Sequence, residues 1–167
     1  MRRVLGGVLL LGVVLVQVTW APRLEVAGAF PNLALIAVIG ITWTIGVRSG
    51  LAWACVAGLL LDLTAAGPLG PHALALLAAA YASGFLARNF QGGGPVYPAL
   101  AAGVGTVLYS LVLVGGNHAL RVPLPPLATT IQLIVAASAY NVLLMPVGMV
   151  MLRGLQSPGR RIRAETT

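Results

Sequence analysis

The sequence predicts an all-α integral membrane protein, a bundle of six transmembrane helices, and three observations carry that prediction. Hydrophobic residues make up 59% of the 167 and charged residues only 8%, against about 25% charged in soluble domains. Uncharged stretches run over Val4–Pro22, Val26–Val47, Leu63–Ala87, Asn89–Leu120 and Val122–Leu152, and a helix needs about 20 such residues to cross a bilayer. The ten basic residues, all arginine, fall in the breaks between the apolar runs or at the chain ends.

The first span is expected over residues 4–21, behind Arg2 and Arg3. It resembles a signal peptide at its basic start, but its apolar run exceeds the usual core of about 7 to 15 residues, and Pro22 would follow the cut. An uncleaved helix is therefore expected. The second span, 30–47, opens with Pro31, whose missing N–H is harmless in a first turn. Arg48 marks the turn before the third span, 50–66. The fourth runs over 71–87 and stops at Arg88. After the turn Gly92-Gly93-Gly94, Pro95 opens the fifth span, 95–115. The sixth covers 127–152 with Pro146 inside it, where a kink near Asn141 is expected. Residues 1–152 thus form one membrane domain, and 153–167 a basic cytoplasmic tail.

Arginine placement fixes the expected orientation. With the N-terminus in the cytoplasm, Arg2, Arg3, Arg48, Arg88, Arg153, Arg160, Arg161 and Arg163 lie inside and only Arg23 and Arg121 outside, as the positive-inside rule requires. An odd number of spans would expose the four C-terminal arginines on the outer side. Trp20 then falls near the outer interface, and Trp43 and Trp53 flank the inner turn, depths that amphipathic rings favour. The net charge of +7 accordingly reads as orientation and contact with anionic lipid through Arg48, Arg88, Arg153, Arg160, Arg161 and Arg163, at about 1 kcal/mol each near the surface. It does not read as nucleic-acid binding.

The inventory for catalysis is thin: three carboxylates, two histidines, one cysteine and no lysine. The histidine and cysteine spacing does not match a zinc pattern, and no glycine-rich loop stands where a phosphate would be cradled. No enzyme activity, cofactor or metal is expected. A solute pocket would call for converging polar and aromatic groups, and with aromatics at 6% the sequence offers little. Cys55, alone in an apolar run, excludes an internal disulfide framework.

Asp62 stands out. It is the only acid between Val26 and Ala164, at the end of an apolar run, where an aspartate at a helix centre costs about 2.5–3.5 kcal/mol. Three uses are open: pairing with an arginine or with His72, bonding the backbone of the Gly67–Gly70 turn, or carrying a proton or ion. Small residues recur at helical spacing in Gly46-x-x-x-Gly50, Ala54-x-x-x-Gly58, Ala80-x-x-x-Gly84 and Gly103-x-Gly105, where helices can approach closely.

Pro31-Asn32-Leu33 opening the second span, Gly58-Leu-Leu-Leu-Asp62-Leu closing the third, and Gly67-Pro-Leu-Gly70-Pro-His72-Ala-Leu entering the fourth resemble the rod shape-determining protein MreD family. Length, span count and basic ends agree. Asn32 stands where family members vary between Asp and Asn. The resemblance makes Pro31, Asn32, Gly58, Asp62, Gly67, Gly70 and His72 candidates for structure or partner binding. It implies a non-catalytic inner-membrane scaffold of the bacterial elongation machinery that binds MreC through its transmembrane helix and adjacent region and supports rod shape and lateral peptidoglycan synthesis. MreB, RodA, a class B penicillin-binding transpeptidase and a second copy of the chain are its further candidate partners. The family also looks similar to the substrate-binding membrane subunits of energy-coupling-factor transporters, so a vitamin-type solute-binding subunit is the alternative. Fold likeness alone does not transfer a ligand.

Overall fold

In the computed structural model, residues 2–20, 23, 28–65, 67–90 and 94–156 are described. They form six helices: α1 (Arg2–Thr19), α2 (Leu33–Thr44), α3 (Val47–Thr64), α4 (Pro71–Asn89), α5 (Val96–Ala119) and α6 (Leu127–Gln156). No strand is formed among these residues. Arg160, Arg161 and Arg163 lie outside the described residues, as does most of the expected tail.

The centre of the bundle is its shortest helix. In α2 the residues Ala34, Leu35, Ile36, Val38, Ile39, Gly40 and Thr42 are all buried, and a helix apolar around its whole circumference must be enclosed. It touches each of the other five helices, and around it α3–α4, α4–α5 and α5–α6 form successive packed pairs. Helix α1 leans on α2 and α3.

Two boundaries differ from the sequence expectation for a local reason. Asn32 caps α2, its side chain accepting the N–H of Leu35, so the helix starts at Leu33 rather than at residue 30, and Pro31 is a buried residue ahead of the cap. At the other end, Gly46 takes φ +123° and makes the turn two residues before Arg48. Helix α3 therefore begins at Val47, with Arg48 in its first turn instead of in the loop. Farther on, α5 continues through Gly115 and Gly116 to Ala119, and α6 continues through Pro146.

The distribution of side-chain sizes is inverted relative to a soluble bundle. Much of the interior is alanine, with Ala34, Ala54, Ala57, Ala75, Ala79, Ala80, Ala101 and Ala102 fully enclosed, while Leu63, Leu74, Tyr81, Phe85, Leu127, Leu143 and Val150 are more than 60% exposed. Small residues let backbones pack closely, and a large apolar exterior suits lipid rather than water. Helices Val47–Thr64 and Val96–Ala119, together with the stretch Leu127–Gly154, are long and apolar enough to cross a membrane; Leu33–Thr44 is apolar but shorter.

The glycine seams are filled by the chain itself. A Cβ at Gly50 would overlap Thr42, one at Gly84 would meet Val47, one at Gly103 Val142, and one at Gly105 Ile39. These close approaches join α2 to α3, α3 to α4, α5 to α6 and α2 to α5.

Candidate functional site

The site grows from the stripe Ala54, Gly58 and Asp62, four residues apart and so on one face of α3. All three are buried. A Cβ on Gly58 would overlap the backbone N and Cα of Ala73, so the absent side chain sets how near α4 can come. One turn later, that proximity puts the Asp62 carboxylate at the start of α4. Oδ2 accepts the backbone N–H of Gly70 at 3.0 Å and of Ala73 at 3.2 Å, and Oδ1 accepts that of His72 at 2.9 Å.

Helix α4 cannot cap itself. Its N-cap is Gly70, which has no side chain to offer, and Pro71 in the first turn has no N–H. The remaining N–H groups of that turn are satisfied by a carboxylate from the neighbouring helix, where the positive end of the helix dipole also favours it. Of the three uses open at the sequence level, this is bonding to backbone, reaching past the turn into α4. No arginine pairs with Asp62 among the described residues, and His72 meets it through the backbone N–H rather than the ring. Gly70 adopts φ +116°, a conformation that L side chains rarely take. Gly67 is exposed, and a Cβ there would meet nothing.

The His72 ring turns toward α5, with Nδ1 2.6 Å from the Tyr109 hydroxyl. From Asn32 a polar chain runs across the bundle: its backbone N–H donates to Asn141 Oδ1 at 2.9 Å, and Asn141 Nδ2 donates to Thr106 Oγ1 at 2.9 Å. Beside it, the N–H of Leu33 donates to Gln17 Oε1 at 2.6 Å. The N-terminus of α2 is thus tied to α1 by Gln17 and to α6 by Asn141.

These groups border an open cavity of about 520 Å³. Gln17, Asn32, His72, Thr106, Tyr109 and Asn141 are among the residues of its polar boundary, and Leu61, Leu113, Leu133 and Ile134 are among its apolar walls. It opens at the end of the bundle where Thr64, Asn117 and Thr130 lie. The opposite end carries a second recess, bordered by Gly46, Arg88, Gly94 and Arg153. Arg48, Arg88 and Arg153 are exposed, so the candidate basic residues that are described stand at the end opposite Asp62.

Gln17, Thr106, Tyr109 and Asn141 were not singled out by sequence as site residues. Their signal was available: each is a hydrogen-bonding side chain inside an apolar run, where an unpaired polar group is costly. The expectation of few converging polar groups is corrected accordingly, because these side chains, with Thr64, Ser110, Asn117 and Thr130, meet at one cavity. Among the described residues no group of three or more His, Cys, Asp or Glu side chains comes together.

Neither a search of curated proteins nor one of solved structures finds a match, so no structural match supports a likeness to transporter subunits. The family model described as rod shape-determining protein MreD matches residues 1–122, a stretch that holds the capped α3–α4 corner, Asn32 and all of α5. On that match the chain belongs to the MreD family, membrane proteins of rod shape determination.

Proposed function

We propose that the protein is a non-catalytic scaffold of the bacterial cell-elongation machinery, holding MreC in the membrane and so coupling rod shape to lateral peptidoglycan synthesis. The observation that carries this reading is the family match over residues 1–122. In this reading six helices span the plasma membrane with both termini cytoplasmic, and the arginine end meets anionic lipid. MreB, RodA and a class B penicillin-binding transpeptidase join through that complex. The protein acts by binding, without turnover.

The glycine seams are occupied by the chain's own helices, so the partner's transmembrane helix has to dock on the apolar exterior. Large exposed side chains such as Leu74, Tyr81 and Phe85 form one face of α4, available for van der Waals packing with another helix. The Asp62 corner supports that surface by holding α4 in place.

Affinity purification in mild detergent after co-expression with MreC tests the proposal. MreC is expected to co-purify in a fixed ratio, and the Asp62→Leu variant is expected to recover less of it. Recovery of a bound vitamin with no cell-wall protein would reverse the reading in favour of a solute-binding subunit.

A further inference from the structure

We propose that the cavity at the Asp62 end of the bundle is a binding site for a neutral, largely apolar molecule with one oxygen-bearing head. This goes beyond the scaffold reading and does not depend on it.

The volume, about 520 Å³, falls within the roughly 300–1,000 Å³ of small-molecule sites. Its walls supply apolar contact through Leu61, Leu113, Leu133 and Ile134, and its boundary supplies several polar groups from different helices. That combination of an apolar body and a few converging polar groups is what orients a small ligand.

The polarity of the head follows from the hydrogen bonds already made. Gln17 spends its oxygen on the N–H of Leu33, which leaves its NH₂ without a partner among the described residues and bordering the cavity. The Gln17 NH₂ is a donor, so a head that presents it an acceptor, such as a hydroxyl or carbonyl oxygen, is held there, while the Ser110 hydroxyl and the Asn117 amide elsewhere on the lining can donate or accept. Its neutrality follows from the lining: no arginine and no carboxylate is among the described lining residues, and Asp62 is committed to three backbone N–H groups. The titratable groups among the described lining residues are His72 and Tyr109, which bond each other, so a carboxylate, phosphate or ammonium head would find no ion partner among them, which is strongly unfavourable.

Photolabelling tests this on the purified full chain in mild detergent. The probe is a diazirine-bearing long-chain alcohol, compared with the fatty acid of the same length and diazirine position at alkaline pH. The alcohol is expected to label wall residues such as Leu113 and Ile134, and excess unlabelled 1-dodecanol to suppress that labelling about tenfold. Ala137→Phe and, from another helix, Leu113→Trp fill the cavity and are expected to reduce labelling of Ile134 by a similar factor. Thermal unfolding identifies either variant that has lost its fold, and the other then decides. Labelling spread over exteriors such as Leu111 and Leu143 and indifferent to competitor would overturn the site. Equal labelling by the fatty acid would overturn its neutrality, and undiminished labelling in a folded, cavity-filled variant would place the probe elsewhere. Retention of MreC by the filled variants leaves the scaffold proposal intact whichever result is found.

Discussion

Asp62 brings one carboxylate to three backbone N–H groups that have no other acceptor, and the cost of replacing it follows from that count. In Asp62→Leu the three donors at the start of α4 lose their acceptor, the Ala73 N–H buried and those of Gly70 and His72 part-buried, so a loss of about 1–3 kcal/mol from the buried donor alone, with a smaller addition from the other two, is expected. Asp62→Asn keeps one oxygen in place but turns an NH₂ toward a donor, and an intermediate loss is expected. Thermal unfolding in detergent checks the order. If Asp62→Leu unfolds no earlier than Asp62→Asn, the capping role is wrong. The two glycines near it divide in the same way. Gly58→Ala forces a Cβ into the backbone of Ala73, and a loss of about 1–3 kcal/mol is expected, as for overpacking elsewhere. Gly67→Ala meets open space and should fall within about 0.5 kcal/mol of the parent. Equal effects at 58 and 67 would mean that the α3–α4 approach is not limited by the missing side chain.

At the scale of elements, α2 and α4 both begin with help from elsewhere in the chain. Helix α4 takes its cap from α3, and α2, capped by its own Asn32, has the neighbouring N–H groups of Asn32 and Leu33 tied to α6 and α1. Asn141→Leu removes the acceptor of the Asn32 N–H and the donor to Thr106 together. Thr106 keeps its bond to the carbonyl of Ala102, so the expected loss is the one orphaned N–H, about 1–3 kcal/mol. Hydrogen exchange should rise at the first turn of α2 and not at α4; uniform exchange across both helices would refute the local tie. How much of this was legible depends on sequence distance. Gly58, Asp62 and Gly70 lie close enough along the chain that apolar periodicity and turn residues place the corner. The contact between Asn32 and Asn141 spans 109 residues, and periodicity says nothing about which helix faces which. Helix number was readable because lipid solvation demands long apolar runs. The ends were less so: the start of α2 depends on Asn32 acting as a cap, and its end on Gly46 adopting positive φ rather than on the more conspicuous Arg48.

For the whole molecule, an alanine-rich interior under a coat of large apolar side chains is stable only where the surroundings are also apolar. The two ends of the bundle differ in charge, with Arg48, Arg88 and Arg153 at one and Arg23 and Arg121 at the other, where the cavity lies. That asymmetry yields the orientation test. In a Cys55→Ser background, Asn89→Cys sits beside Arg88 and His118→Cys lies at the far end of α5, both at exposed positions. The positive-inside rule assigns the arginine end to the cytoplasm. A membrane-impermeant maleimide should therefore label His118→Cys on intact spheroplasts and reach Asn89→Cys only after permeabilisation. Labelling of both before permeabilisation would mean that the bundle does not span with its ends on opposite faces. The reverse pattern would place the cavity and the Asp62 corner in the cytoplasm, and with them any partner that meets that end.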